Sequence, residues 1–427
     1  MSSIALASAF SPRRAALLLA LLLAVPSARA SAQPAGRIDL AKMRPTGLLV
    51  DAYSYMAPPH NQYYFHHIDE LDFRIDPVRR SGPVHPLVER AGPPPDVRYQ
   101  FYGRERTLES YFARNRVAGF LIVRRDTILL ERYFFGAEPD DRFVSQSVGK
   151  SILSILVGAA LEQGKLQDVD DPVVRYLPEL RSSGYREVTI KQALQMATGV
   201  DYSEDYRDST SGAASIGAAL VAGRPSFEDF VRSMRPTATA PGTRFEYQSV
   251  NTQLLGQLLE KATGMPLAHW AELALWSKLG ADSDGFFYQA KGQPGTCAFA
   301  CFNATLRDYA RVGLLMAGGG ALGGRRVVSQ EWVRQSTTPD ADYLRPVAAS
   351  AGTRPRTGYG YQWWIPPGND GAFLAIGIYG QAIYVNPARQ VVVVQTAAWP
   401  SPIGEPGQGA ERAAVFEAIA ARVGVPR

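Results

Sequence analysis

Residues 143–166, FVSQSVGKSILSILVGAALEQGKL, contain two short motifs that predict different proteins. The tripeptide GKS matches the end of a phosphate-binding loop, G-x-x-x-x-G-K-[ST], whose glycines let consecutive amides bind phosphate. The first glycine of that loop would fall at position 144, which is Val144, and the preceding DDRFVSQ contains no glycine. The nucleotide-binding interpretation therefore fails on its own spacing.

The second motif, Ser147-x-x-Lys150, carries the residues of a serine acyl-transfer site. At the start of a helix, residues three apart share a face, so Lys150 can lie beside the hydroxyl of Ser147. Burial lowers the pKa of a lysine and lets it accept the serine proton. The run that follows is almost wholly apolar, which predicts a helix buried on most sides that ends near Gly164.

The first 32 residues have the pattern of a secretory signal peptide. Arg13 and Arg14 precede the apolar run AALLLALLLAV, and the small-residue stretch SARASA follows Pro26. The alternative is a membrane anchor, but the apolar run is too short to span a bilayer. We therefore predict a periplasmic or secreted protein, cleaved near Ala30 or Ala32, whose mature form has no integral membrane span. The export route, general or twin-arginine, stays open.

Charge and composition exclude some function classes. The chain has 427 residues, 46% of them hydrophobic, which is typical of a globular protein of one or two domains. Its net charge is +5, and removing Arg13, Arg14 and Arg29 with the signal peptide leaves about +2. This small charge predicts no nucleic-acid partner.

The chain also has few candidate metal ligands. Cys297 and Cys301 are its two cysteines, and no histidine lies near them in sequence. We expect a local disulfide or two buried thiols there. His66 and His67 are interpreted as a surface pair, so no metal and no cofactor is predicted.

Two hairpins frame the larger part of the chain. VAGFLIVRRDTILLERYFFG, at 117–136, and GQAIYVNPARQVVVVQTAAW, at 380–399, each predict two strands around a polar turn. Amphipathic helices lie between them and a last helix follows. We therefore predict one α+β domain over 106–427, with a sheet built from distant pieces. Residues 33–105 are predicted to be an irregular arm packed on that domain.

Several sequence blocks, in this order, resemble the serine hydrolases related to class C β-lactamases. The blocks are residues 143–180, VTIKQALQMATGVDYSEDY, FEYQSVNTQLLGQLLEKATG, LRDYARVGLLMAGGG, GYGYQWWIPP and AIGIYGQAIYVNP. The resemblance covers about residues 106–425 and is closest to the 6-aminohexanoate-dimer (nylon-oligomer) hydrolase branch, whose second motif is Y-x-S. It implies a β-lactamase/transpeptidase-like fold, an antiparallel sheet flanked by helices with an all-helical insertion.

The resemblance also implies site residues. Ser147 is the nucleophile and Lys150 its proton-transfer partner, while Tyr247 of the YQS motif passes a proton to the leaving group. A phenolate favoured by the nearby lysine would make Tyr247 a base, so the first base, Lys150 or Tyr247, stays open. Ser249 stands where the lactamases have asparagine and can hydrogen-bond Lys150. Asn303 is expected to cap a helix that faces the cleft, where it can contact substrate.

The third motif departs from its penicillin-recognising relatives. Ala375-Ile376-Gly377 replaces K-T-G, so the usual lysine is absent. The amides of Ser147 and Ile378 are expected to form the oxyanion hole, and Gly377 to allow close approach of substrate.

These features predict an exported serine hydrolase that cleaves a small amide or ester through an acyl-enzyme. The alternatives are a carboxylesterase, a D-amino-acid peptidase or penicillin-binding-type enzyme, and a true β-lactamase. Outside enzymology, the alternative is a non-catalytic cell-wall-binding protein, against which the intact Ser147, Lys150 and Tyr247 argue. The oligomeric state is not predicted.

Overall fold

The computed structural model of the chain describes residues 54–348, 350, 355–368 and 370–424. The predicted signal peptide and the first part of the arm lie outside these residues. Within the described ranges, no helix combines the length and the apolar character needed to cross a membrane.

The strands, in chain order, are β1 (Phe73–Val78), β2 (Val88–Glu89), β3 (Arg98–Phe101), β4 (Arg104–Thr107), β5 (Val117–Arg124), β6 (Thr127–Tyr133), β7 (Phe143–Val144), β8 (Gly285–Ala290), β9 (Phe302–Ala304), β10 (Ala321–Leu322), β11 (Arg325–Arg326), β12 (Gly358–Tyr359), β13 (Trp364–Ile365), β14 (Phe373–Ile376), β15 (Ala382–Asn386) and β16 (Val391–Ala397).

The α-helices are α1 (Asn61–Tyr64), α2 (Leu108–Arg114), α3 (Val148–Glu162), α4 (Ile190–Leu194), α5 (Gly212–Ala222), α6 (Phe227–Arg232), α7 (Ser249–Thr263), α8 (Leu267–Ala271), α9 (Ser277–Leu279), α10 (Leu306–Ala317), α11 (Gln330–Thr337) and α12 (Gln408–Val423). A π-helical turn, Glu272–Trp276, joins α8 to α9, and short 3₁₀ turns occupy Ser54–Met56, Ile68–Glu70, Val173–Arg175, Pro178–Ser182, Asp342–Leu344 and Ile378–Gly380.

The largest sheet has eight strands in the order β12-β13-β14-β15-β16-β5-β6-β2. Its strands pair antiparallel, except that β2 pairs parallel with β6. Both predicted hairpins are present, and β16 of the second pairs with β5 of the first, so that Val393 faces Ile122. This pairing confirms a sheet built from sequence-distant pieces.

Both faces of this sheet are covered, which explains why β5 and β16 are nearly continuous apolar runs. One face packs in the core that contains α3, α7 and α10, and the other packs against α2 and α12. Helix α3 confirms the buried helix predicted from its sequence, since every residue of 148–160 is buried. The chain leaves this helix through Gly164, whose φ of 67° suits glycine.

The described part of the arm is more regular than its sequence predicts. β1 pairs with β8 in a second sheet of order β1-β8-β9-β7, and β3 pairs with β4 as a hairpin. The predicted boundary at 105/106 falls inside β4. β7, which leads directly to Ser147, belongs to the same sheet as β1. The arm therefore contributes a strand to the sheet from which the Ser147 turn begins.

Candidate active site

The turn between β7 and α3 presents Ser147. The amide of Ser145 donates to the carbonyl of Phe302, 2.8 Å away, which extends the contact of β7 with β9. Gln146 then adopts a φ of 45°, a left-handed conformation that costs a non-glycine residue free energy. Such strain is held in place by surrounding contacts and is concentrated at functional sites. The reversal places Ser147 at the N-cap of α3.

Ser147 and Lys150 are in direct contact. Although Ser147 is the N-cap residue, its side chain makes no capping hydrogen bond. Lys150 Nζ donates to Ser147 Oγ at 2.8 Å and to the carbonyl oxygen of Phe299 at 2.8 Å. Lys150 is only 1% exposed. Burial lowers the pKa of Lys150 to about 8, against the opposing effect of the Glu204 charge, so neutral lysine is accessible near neutral pH.

The ring of Tyr247 lies beside the ammonium group of Lys150. Its ring centroid is 5.4 Å from Lys150 Nζ, and its ring stacks on Trp364 with centroids 5.2 Å apart. Burial, and then the negative charge of Glu204, raise the pKa of the Tyr247 phenol well above its usual value, while a hydrogen bond with Ser147 lowers it. The two largest effects thus disfavour the expected phenolate and favour the neutral phenol, which can donate a proton. Of the two candidate bases, these pKa directions favour Lys150.

Ser249 does not hydrogen-bond Lys150 as expected. Its amide and its Oγ both donate to the carboxylate of Glu204, at 2.8 and 2.6 Å. The hydroxyl of Tyr206 donates to the same carboxylate at 2.5 Å. Because Ser249 begins α7, Glu204 places a negative charge at the N-terminus of that helix, which stabilises it. Ser249 nonetheless lines the cleft beside Ser147.

Gly377 and Ile378 lie against the Ser147 turn. A Cβ at Gly377 would be 2.8 Å from the Ser145 carbonyl oxygen and 3.0 Å from the Ser147 amide nitrogen. The glycine is thus required by the protein's own backbone, whereas the sequence suggested close approach of substrate. In the described residues, the amides of Ser147 and Ile378 donate to no backbone acceptor. These two amides are therefore available to bind an oxyanion.

Asn303 is not brought to the cleft. It lies within β9 at 0% exposure, and its Nδ2 donates to the carbonyl of Cys301 at 2.9 Å. The expected N-cap role is also wrong, because Thr305 caps α10 and its side chain accepts from the amide of Asp308. Both Thr305 and Asn303 suit such a position by residue type, so the sequence alone could not separate them.

The expectation that His66 and His67 form a surface pair is wrong for His66. It is buried at 1% exposure, with Nδ1 at 3.1 Å from Asp141 Oδ2 and Nε2 at 3.0 Å from the Gln62 carbonyl oxygen. Ligand-type atoms of His66, His67 and Asp141 lie within 4.8 Å of one another. Both nitrogens of His66 already have protein partners, so this group ties the arm to the segment before β7.

The cleft above Ser147 has a volume of about 580 Å³, the size of a small-molecule site. Its walls come from the arm, from α5, from the strand residue Tyr288 and from the Ile378 turn. Tyr55 and Met56 are the arm's contribution. A cleft of this size and mostly apolar lining can enclose a small amide or ester beside Ser147.

Comparison with known proteins identifies the family of the chain. The Beta-lactamase family profile matches residues 105–417. The chain is 32% identical over 363 residues to the 6-aminohexanoate-dimer hydrolase of Paenarthrobacter ureafaciens, covering 82% of this chain and 88% of that one. The chain belongs to the β-lactamase family. It is also 31% identical over 196 residues to esterase EstB of Burkholderia gladioli, which covers 43% of this chain and 48% of that one.

Solved structures of similar proteins share the fold. A Bacillus anthracis protein provisionally named a 6-aminohexanoate-dimer hydrolase superposes with a TM-score of 0.76 at 22% identity, covering 88% of this chain and 97% of that one. A penicillin-binding protein from Bacillus halodurans gives a TM-score of 0.54 at 17% identity, covering 74% and 99%. The predicted β-lactamase/transpeptidase-like fold is thereby confirmed. The protein is a β-lactamase-fold hydrolase related to 6-aminohexanoate-dimer hydrolase and to an esterase.

The sequence analysis did not predict two residues of the site, Glu204 and Phe299. Glu204 stands in VDYSEDY, a block with three acids and no feature that singles out one of them. Phe299 contributes its backbone carbonyl, which any residue type supplies. Only the cysteines on either side of Phe299 mark that segment as unusual in the sequence.

Proposed function

We propose that the protein is a serine hydrolase that cleaves small amides or esters through an acyl-enzyme on Ser147. The observation that carries this proposal is the 2.8 Å hydrogen bond between Ser147 Oγ and a fully buried Lys150. A buried lysine has a lowered pKa and serves as a base for a neighbouring hydroxyl. A site of this kind distinguishes a working hydrolase from a binding protein that keeps only the fold.

The steps follow from where each group lies. Neutral Lys150 accepts the proton of Ser147 as Oγ bonds to the substrate carbonyl carbon. The amides of Ser147 and Ile378 stabilise the resulting oxyanion. Tyr247 donates its proton to the leaving nitrogen or oxygen as that bond breaks, and regains one from Lys150. Water then attacks the acyl carbon and gives a proton to Lys150, which passes it to Ser147 Oγ as the acyl bond breaks and the acid leaves.

Substrate choice follows from the third motif. Ala375 is buried and Ile376 is half-buried, so neither offers the charge that would pair with the carboxylate of a penicillin. We therefore expect hydrolysis of short p-nitrophenyl esters or small linear amides and very weak β-lactamase activity. Measurement of kcat/KM for a p-nitrophenyl ester and for nitrocefin on one preparation tests this. Efficient nitrocefin turnover without ester cleavage would contradict this prediction and identify the protein as a true β-lactamase.

The pH profile tests the role of Lys150. If neutral Lys150 is the base, kcat/KM for an uncharged ester should rise about tenfold per pH unit on the acid side and level off near the lysine pKa of about 8. The negative charge of Glu204 favours the ammonium, so Glu204→Gln should lower that pKa and move the rise to lower pH. A rise that stays in place in Glu204→Gln, or moves upward, contradicts this assignment.

A further inference from the structure

The two cysteines close a short loop over the lysine. Cys297 and Cys301 form a disulfide with Cα atoms 5.7 Å apart, and both are fully buried. This confirms the local bridge, one of the two states expected from the sequence. Residues 298–300 form a turn between them. The disulfide joins the two ends of this turn.

Two consecutive carbonyls of this loop hold side chains on either side of Ser147. The carbonyl of Phe299 accepts from Lys150 Nζ at 2.8 Å, and the carbonyl of Ala300 accepts from Ser145 Oγ at 3.2 Å. The Phe299 ring also covers the lysine, with its centroid 5.6 Å from Nζ. Consecutive carbonyls of an extended strand point to opposite sides, so only the turned loop can direct both toward the site.

The outer side of the loop is fixed to the surrounding elements. The amide of Cys297 donates to Gln289 Oε1 at 3.2 Å, and the amide of Ala298 donates to Gln253 Oε1 at 3.0 Å. Gln289 is on β8 and Gln253 is on α7. At Gly256, also on α7, an added Cβ would lie 2.4 Å from the Cβ of Ala298. The loop therefore fills a tight space between two rigid elements and the lysine.

We propose that the disulfide-closed loop 297–301 is a positioning element that holds Lys150 against Ser147, and that opening the disulfide slows acylation. This inference rests on the proposed function of Ser147 and Lys150. The lysine side chain has several rotatable bonds, and the Phe299 carbonyl selects the arrangement in which Nζ reaches Ser147 Oγ. Misplacement of a catalytic group by about 1 Å can cost about 10²-fold in rate.

The double variant Cys297→Ser/Cys301→Ser tests the proposal. We expect kcat for a p-nitrophenyl ester to fall by about 10- to 100-fold. Val415→Ala, a buried residue of α12 remote from the cleft, is the control for lost stability. It should lower the Tm and leave kcat unchanged.

The pH profile separates positioning from general destabilisation. Among the described residues, Tyr247 and Glu204 are the titratable groups that face Lys150. Opening the loop admits water to the buried ammonium, so its pKa should rise toward the ordinary value and the acid limb of kcat/KM should move up by about one pH unit. Val415→Ala should not move it.

A second variant keeps the disulfide intact. Gly256→Ala places a methyl group against Ala298 and should displace the loop, with the same fall in kcat and the same shift of the acid limb. Gly409→Ala is its matched control, because a Cβ there has no neighbour within 4 Å. This pair decides the question even if the double cysteine variant does not fold.

Reduction offers a test without mutation. A water-soluble phosphine transfers two electrons to the disulfide, which takes up two protons to give two thiols, while the phosphine gains an oxygen atom from water. Because both cysteines are buried, the extent of reduction is followed by thiol titration; we expect activity to fall in proportion to the thiols released and to return on reoxidation. Wild-type kcat and acid limb in both loop variants would overturn the proposal. Failure of a fluorophosphonate to label Ser147 in the wild type would instead overturn the proposed function.

Discussion

Replacement of Ser147 by alanine is expected to abolish covalent labelling by a fluorophosphonate and to lower kcat by on the order of 10⁶-fold, the scale reached when a serine hydrolase loses its nucleophile. The hydroxyl of Ser147 is the group that Lys150 Nζ contacts at 2.8 Å, and no other serine on α3 has this contact in the described structure. Mass mapping of the adduct in the wild type should find it on the peptide containing Ser147.

Ser154→Ala is the matched control for this change. Ser154 is on the same helix and is fully buried, and its Oγ has no hydrogen-bond partner in the described residues. Its removal should leave labelling and kcat unchanged. An adduct on Ser145 or Ser151 would refute the assignment of Ser147, and so would full activity in Ser147→Ala.

Loss of the Tyr247 hydroxyl is expected to have the second-largest effect. Tyr247→Phe keeps the ring that stacks on Trp364 and deletes only the proton donor. For an amide substrate, kcat should fall by about 10²- to 10⁴-fold, because the amine cannot leave without a proton. For a p-nitrophenyl ester the loss should be much smaller, since p-nitrophenolate leaves unprotonated.

Comparing the two substrates therefore isolates proton donation from a change in cleft shape. A distorted cleft would slow both reactions alike, whereas a missing donor slows the amide selectively. Tyr102→Phe, at the exposed tip of the β3–β4 hairpin, is the control and should change neither rate. Wild-type kcat on an amide in Tyr247→Phe would show that the hydroxyl takes no part.

Features that depend on neighbours in sequence were predictable. Ser147 and Lys150 are three residues apart at a helix start, so helix geometry alone brings them together. The same holds for helix α3 and for both hairpins, whose apolar runs and polar turns are local patterns. The position of Tyr247 came from the family resemblance, since no local pattern distinguishes it from other tyrosines.

Features that depend on tertiary contacts were not predictable. Glu204 accepts hydrogen bonds from Ser249, which is distant in sequence, and Asn303 is drawn into β9 by pairing with β7 and β8. β1 escaped prediction for a different reason. It contains Pro77, which argues against a strand, but β1 lies at the edge of its sheet, where proline is tolerated.

The order of strands in the large sheet also determines how late in synthesis the active site can form. β5 and β6 leave the ribosome early, but β5 also pairs with β16, which is synthesised much later. Pairings between such distant segments carry a high loop-closure cost and form slowly. The Ile378 turn, which completes the oxyanion site, lies between β14 and β15 and depends on the same late pairings. We therefore expect chains truncated before β16 to lack hydrolytic activity, because neither the sheet nor the Ile378 turn can form without that strand.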